Sequence, residues 1–291
     1  MKRRLFIGSS SEGKPIAIKV EEKVKKECGD WINCMPWYGN DCFTLNKSTL
    51  ENLSSLTLIC DYAILIASKD DITSKRSCIK RSIRDNVIFE YGLFSGSIGI
   101  NKTFLLIDKN VHIPSDVKGI TLAYYDERTI DDKIDNIINQ INKSKEEFEY
   151  RLLPSSALAV GYYENFINRT IKEVLPKGAK LEILIPNKIF DIVDMANDYY
   201  IDNGEYPYNM SQNTPKVCHY KNNNSLYFDI PMTLSTLYRL ISNITKTGPI
   251  GINKEQENLI EHELDNFKET LCALIKSHNL TDKVLVSDFI L

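Results

Sequence analysis

The sequence predicts an α/β protein built as two successive units, residues 1–150 and 151–291. Apolar runs and amphipathic stretches alternate through the first half, the pattern of an open parallel sheet with helices on both sides. One run, Asp61-Tyr62-Ala63-Ile64-Leu65-Ile66-Ala67, is continuously apolar after its first residue, as a central strand buried on both faces requires. The charged segment 143–150 then gives way to Leu152-Leu153-Pro154-Ser155-Ser156, where composition shifts and Pro154 restricts the residue before it.

Each element has a local reason. A short strand over 4–7 leads through Gly8-Ser9-Ser10-Ser11-Glu12-Gly13 to a helix over 15–27, whose Pro15 suits a first turn that needs no N–H. A weak strand over 31–37 precedes a helix over 48–58, with Asn46 or Ser48 as its cap. After the 61–67 strand, Arg84-Asp85-Asn86 are good helix-start residues. From there Val87, Phe89/Glu90, Leu93 and Phe94 recur at helical spacing. Strands over 103–107 and 120–123 and a helix over 130–148 complete the first unit. The second unit is a further α/β or α+β unit. It opens with a helix over 156–175, then a strand over 180–185 and a helix over 189–199. Turn residues Asp202-Asn203-Gly204 and Tyr206-Pro207 come next. A hairpin of 217–220 and 226–229 turns across 221–225, and helices over 231–246 and 254–277 lead to a last strand over 283–286.

A chain of 291 residues with 43% hydrophobic and 26% charged content folds with real cores. Its net charge of −3 gives no general pull toward nucleic acid or an anionic membrane. The local cluster Lys75, Arg76, Lys80, Arg81 and Arg84 reads as a solvated loop ahead of a phosphate site. Seven cysteines without CxxC pairing argue against a disulfide framework and a zinc ribbon, and for a reducing cytosol. The four histidines show no ligand spacing, so no metal site is expected. No run reaches the roughly 18 apolar residues of a membrane span, and the amino-terminal apolar run is too short for a signal peptide.

Chemistry gathers in two places in the first unit. Glu90 is a carboxylate inside an apolar helix, and such a group is either paired, here by Arg84 or a backbone N–H, or functional. The Gly8–Gly13 turn lets backbone N–H groups approach a phosphate at a helix N-terminus, although a plain strand–helix turn has the same composition. Together they suit a nucleotide whose glycosidic bond is attacked, with the carboxylate as nucleophile or as stabiliser of oxocarbenium-like charge.

Arg3-Arg4-Leu5-Phe6-Ile7-Gly8-Ser9-Ser10-Ser11-Glu12-Gly13, Cys60-Asp61-Tyr62-Ala63-Ile64-Leu65-Ile66, Asp70-Asp71 and Arg84-Asp85-Asn86-Val87-Ile88-Phe89-Glu90-Tyr91-Gly92-Leu93-Phe94 resemble the bacterial TIR-like nucleotide-binding domain in order and spacing. The resemblance covers about residues 3–125 and implies a flavodoxin-like parallel sheet with NAD+ glycohydrolase activity. It makes Glu90 the catalytic residue and turns Ser9 and Ser10 toward the dinucleotide. Asp85 and Asn86 would shape the pocket, and Trp37 and Phe43 are candidates for ring stacking, with a core role for Trp37 as the alternative. The segment 70–83 has no residue-by-residue counterpart.

In the second unit, Leu158-Ala159-Val160-Gly161-Tyr162-Tyr163-Glu164-Asn165-Phe166 resembles the opening helix of the STING domain. Lys180-Leu181-Glu182-Ile183-Leu184-Ile185-Pro186 and Asp229-Ile230-Pro231-Met232-Thr233-Leu234-Ser235-Thr236-Leu237 resemble its later segments. Taken alone, Tyr162 and Phe166 read as a helical core stripe. The resemblance, over about residues 155–288, implies a two-fold dimer holding one cyclic dinucleotide in the cleft between protomers. Phe166 would stack on a purine, Asp229 accept from a guanine's N1 and exocyclic amine, Thr233 bond a phosphate or base, and Tyr162 line the cleft. The family's lid arginine is absent from Thr214-Pro215-Lys216-Val217-Cys218-His219-Tyr220, and Lys216 takes its place.

The two resemblances imply a bacterial TIR–STING fusion, a cytoplasmic antiphage effector. In it cyclic di-GMP is the activating ligand, NAD+ is the substrate and no cofactor is needed. Dimers would stack into filaments and so complete the site around Glu90. A non-enzymatic signalling adaptor and a nucleoside deoxyribosyl transferase are the rival readings.

Overall fold

Contact between neighbouring segments divides the computed structural model into two units, Met1–Glu147 and Phe148–Leu291. The structure describes residues 2–39, 42, 48–69, 71–75, 78–82, 85–113, 122–145, 153–189, 192–206, 215–244 and 254–289, with backbone alone for 71–75, 78–82, 244, 254 and 255.

The first unit runs β1 (Arg3–Ser9), α1 (Lys14–Cys28), β2 (Ile32–Pro36), α2 (Thr49–Ile59), β3 (Tyr62–Ala67), β4 (Asp71–Lys75), β5 (Cys78–Ser82), α3 (Asp85–Ile98), β6 (Thr103–Asp108), β7 (Ala123–Tyr125) and α4 (Ile130–Lys143). Five strands form one sheet in the order β2-β1-β3-β6-β7, and every neighbouring pair is parallel. This is the flavodoxin-like order, in which the chain reverses direction across the sheet between β1 and β3.

Strand alternation sorts the side chains between the two faces. Leu5, Ile7, Ile64, Ile66 and Leu106 meet Val20, Val24, Ile134 and Ile138 of α1 and α4. Phe6, on the opposite face, stacks on Phe94 of α3 with ring centroids 4.7 Å apart. Both rings are fully buried, and burying such a ring stabilises by about 1.5–3 kcal/mol. Helix α2 starts where Ser48 and Glu51 cap each other's backbone N–H groups, which settles the choice between Asn46 and Ser48 in favour of Ser48.

Three expectations are corrected. The segment expected as a loop forms the antiparallel hairpin β4–β5, with Asp71 opposite Ser82 and Lys75 opposite Cys78. Phe89, expected on the apolar face of α3, is 53% exposed, and the buried face is Val87, Tyr91 and Phe94. The strand expected over 120–123 begins at Ala123 and continues to Tyr125, and residues 120 and 121 lie outside the described residues.

The second unit runs α5 (Pro154–Tyr162), β8 (Lys180–Pro186), α6 (Ile192–Asn203), β9 (Gly204–Glu205), β10 (Cys218–Tyr220), β11 (Asn223–Asp229), α7 (Leu234–Ile244), α8 (Lys254–Ser277) and β12 (Val284–Phe289). Its sheet, ordered β12-β8-β11-β10-β9, is parallel across the first three strands and antiparallel across the rest. The α+β alternative therefore holds for this unit. The chain does not leave the helical path after α5. It continues through two π-helical turns, Tyr163–Ile167 and Thr170–Val174. Each turn inserts a residue and re-aims the side chains beyond it, a feature frequent at functional sites.

The start of α5 has no side-chain cap of its own. Glu263 of α8 accepts from Ser155 N at 3.1 Å, and Asn266 donates to Ser155 and Ser156 Oγ at 2.8 Å. One orphan N–H at the start of α5 is thus satisfied by a side chain of α8, which also holds the two serine hydroxyls beside it. Among the described residues no helix is long and apolar enough to cross a membrane.

Candidate functional site

In the first unit the site is assembled at the carboxyl ends of β1 and β3, where open α/β sheets place ligands. Gly8 ends the apolar part of β1, and Glu90 reaches over it from the second turn of α3. A methyl group built on Gly8 would lie 2.6 Å from Leu65 Cδ1, 2.9 Å from Phe6 Cε1 and 3.0 Å from Glu90 Oε2. Only a hydrogen fits there, so the glycine is a requirement of space. Gly8→Ala is expected to destabilise the unit by about 1–3 kcal/mol by overpacking and to displace the Glu90 carboxylate. Denaturant unfolding together with the activity assay described below checks both effects.

Burial pushes the Glu90 carboxyl up to about 7. Among the described residues no group hydrogen-bonds or ion-pairs with it, and Arg84, the pairing partner considered from sequence, lies outside those residues. Asp108, at the end of β6, is instead paired with Lys69 at 3.2 Å. A carboxylate without partners in a poorly hydrated site acts strongly on any positive charge that develops beside it.

The turn after β1 is held by its own hydroxyls. Ser9 Oγ donates to Ser10 O at 2.9 Å and accepts from Trp37 Nε1 at 2.8 Å. Ser10 Oγ accepts from Gly13 N at 3.1 Å and pairs with Ser68 Oγ at 3.0 Å, which ties the β1 turn to the end of β3. Ser9, Ser10, Trp37 and Glu90 thus share the carboxyl end of the sheet. Trp37 is half-buried and packs edge-on against Tyr38, with centroids 5.8 Å apart. Asp85 and Asn86 are exposed at the start of α3, and Asn86 is one turn before Glu90. Phe43 lies outside the described residues. Sequence reasoning missed Ser68, although its position directly after the fully buried β3 marks it as a switch-point residue.

In the second unit the chemistry centres on Asp229, the last residue of β11. Tyr162 donates its hydroxyl to Asp229 Oδ2, and Tyr200 of α6 donates to Oδ1 at 3.0 Å. Tyr200 Oη in turn accepts from Ile230 N at 2.9 Å. Burial pushes the Asp229 carboxyl up to about 7 against the opposing effect of the two tyrosine bonds. Tyr162, only 6% exposed, is raised well above the ordinary phenol range by burial and by Asp229. Phe166, in the first π-helical turn, is half-buried and stacks on Tyr162 at 5.2 Å. Thr233 Oγ1, between β11 and α7, is buried with no hydrogen-bond partner among the described residues. Lys216 is exposed ahead of β10. Tyr200 was not singled out from sequence. Its signal is chemical, since an acidic residue directly after the buried pair Tyr227 and Phe228 needs donors.

A cavity of about 910 Å³ lies elsewhere in the first unit, between the start of β6 and α4, lined by Phe104, Leu105, Asn136, Asn139, Gln140 and Lys143 among others. It contains none of the residues singled out from sequence. Among the described residues no group of three His, Cys, Asp or Glu is placed to hold a metal ion.

The family model described as CAP12/Pycsar effector protein, TIR domain, matches residues 4–127, and the prokaryotic STING domain model matches residues 154–272. CD-NTase-associated protein 12 of Sphingobacterium faecium is 31% identical over 311 residues, covering 94% of this chain and 94% of that protein. Its namesake in Flavobacterium daejeonense is 34% identical over 301 residues, covering 94% and 95%. A solved structure titled bacterial STING in complex with c-di-GMP is 28% identical, covers 49% of this chain and 98% of that one, and has a TM-score of 0.41. With both domain models matched in order and relatives of this identity spanning nearly the whole chain, the protein belongs to the CD-NTase-associated protein 12 family and joins a TIR domain of the CAP12/Pycsar effector type to a prokaryotic STING domain.

Proposed function

We propose that the protein is an NAD+ glycohydrolase of antiphage defence, switched on when its STING domain binds a cyclic dinucleotide, cyclic di-GMP above others. The observation that carries the reading is Glu90, a desolvated carboxylate without a described partner at the switch point of the TIR sheet. Ordinary glycoside hydrolysis needs a second carboxyl to protonate the leaving oxygen. The nicotinamide of NAD+ is already cationic and departs neutral, taking the electrons of the C1′–N bond, so one ionised carboxylate suffices. Glu90 stabilises the ribosyl cation as that bond breaks. Water then adds to C1′ and loses a proton, which gives ADP-ribose. Ser9 and Ser10 line the phosphate side, Trp37 offers a ring for stacking, and Asp85 and Asn86 border the entrance. Because the ionised form is the working one, activity should rise with pH through about 7.

In the STING domain, Phe166 stacks on a purine, Asp229 accepts from the guanine edge, and the unpartnered Thr233 hydroxyl donates to a phosphate or base. Lys216 approaches the ligand from the lid as a point charge, without the fork geometry of arginine. Phe166→Ala is expected to weaken cyclic di-GMP binding by about 1–3 kcal/mol for each stacked base, measured by calorimetry. As in the family resemblance, the domain acts as a two-fold dimer, and ligand-driven stacking of dimers completes the TIR site. This requires the ligand to bind the assembling state better than the resting one. The reading places the protein in the bacterial cytoplasm, with no nucleic acid, membrane or cofactor needed.

Incubating the full chain with NAD+ and a panel of cyclic dinucleotides, and following nicotinamide, tests the reading. Release with cyclic di-GMP and little without it is expected. Saturable ligand binding without release under any ligand would leave the non-enzymatic adaptor. Inertness toward NAD+ with activity on deoxynucleosides would leave deoxyribosyl transfer.

A further inference from the structure

We propose that Tyr200 sets the base selectivity of the STING domain, by donating its one hydroxyl hydrogen to Asp229 and so holding that carboxylate as a pair of acceptors. The inference rests on the reading that Asp229 meets the ligand's base.

The direction of the hydrogen bonds is fixed by the backbone. Ile230 N–H donates to Tyr200 Oη at 2.9 Å, so the tyrosine hydrogen is free to point only to Asp229 Oδ1, 3.0 Å away. Tyr162 donates to the other carboxylate oxygen. Each oxygen therefore already receives an O–H, and a proton on either would have to turn away from the hydrogen that faces it. The network favours the ionised form, whereas burial opposes it. Other titratable groups near Asp229 are Tyr206, after β9, and Cys218 on β10, both acting at longer range. Among the described residues no lysine, arginine or histidine pairs with it.

The charge state of Asp229 decides which base it can read. An ionised carboxylate offers two acceptors, the complement of guanine's N1–H and exocyclic N–H. A protonated carboxyl offers one donor and one acceptor, the complement of adenine's N1 and exocyclic amine. Tyr200 thus acts through Asp229, as a positioning residue, to keep the site guanine-reading at neutral pH. Discrimination against adenine then resides in a hydroxyl that need not touch the ligand.

The test is the affinity of the full chain for cyclic di-GMP and cyclic di-AMP, measured by calorimetry from pH 6 to 8.5. Tyr200→Phe keeps the ring stacked on Phe228, 5.3 Å away, and removes one donor. It should move the midpoint of the cyclic di-GMP pH profile up by about one unit. Affinity at pH 7 should then fall about fivefold and largely recover at pH 8.5, and the guanine-to-adenine ratio should narrow. 3-Fluorotyrosine at position 200, a stronger donor of almost unchanged shape, should move the midpoint down. Wild-type midpoints and ratios in both variants, alongside lost cyclic di-GMP binding in Asp229→Asn, would overturn the role of Tyr200 alone. Undiminished cyclic di-GMP binding in Asp229→Asn would instead remove the reading of Asp229 on which the role rests.

Discussion

Glu90→Gln is expected to cut cyclic di-GMP-dependent nicotinamide release by at least about a hundredfold, the scale of loss when one group that stabilises transition-state charge is removed. Glutamine keeps the size of the side chain above Gly8 and removes only its charge, so a folding defect is not the cause. Stability provides a separate check. Burial holds the folded-state value at about 7, above the ordinary glutamate value of 4.5, so the folded protein holds this proton more tightly than the unfolded chain does. The stability contributed by that proton is fully present below about pH 4.5 and is lost as pH rises through about 7. Glu90→Gln should therefore match the wild type in stability near pH 4.5 and exceed it by up to about 3 kcal/mol at pH 8. Thermal unfolding at the two pH values reads the difference. Equal stability of the two proteins at both would show that Glu90 is solvated or paired.

The second large effect is expected at Asp229. Asp229→Asn places an amide N–H₂ where guanine presents its own donors. It also leaves one of the two tyrosine hydroxyls facing a donor. Lost charge-assisted hydrogen bonds cost about 1.5–3 kcal/mol each, so cyclic di-GMP affinity should fall by at least about a hundredfold. NAD+ hydrolysis should vanish with it, although nothing in the TIR site has changed. Calorimetry and nicotinamide release on the same preparation measure the two losses together.

Much of this arrangement is local and therefore legible in the chain. The apolar run of β3, the Ser48–Glu51 capping pair and the helix start at Asp85 each follow from a few neighbouring residues. The β4–β5 hairpin is not legible in this way. Its ten residues hold only Ile72 and Ile79 as large aliphatic side chains, so no apolar alternation announces it. The π-helical turns are equally silent, because Leu158, Tyr162 and Phe166 keep a spacing that an ordinary α-helix also satisfies. The site divides along the same line. Glu90 stands out in its own helix, but its setting depends on Gly8, brought over from a strand far back in the chain. Asp229 is recognisable, yet its two donors lie 67 and 29 residues away. Periodicity carries no information about such partners, whereas the need of a buried carboxylate for donors does.

The coupling between the two domains is the central claim, and one time course tests it most directly. The full chain is mixed with NAD+, nicotinamide is followed, and cyclic di-GMP is added midway. The account predicts a near-flat trace that turns upward on addition in the wild type and stays flat throughout in Glu90→Gln and in Asp229→Asn. Release that begins before the cyclic dinucleotide is added, or that continues in Glu90→Gln, would contradict it.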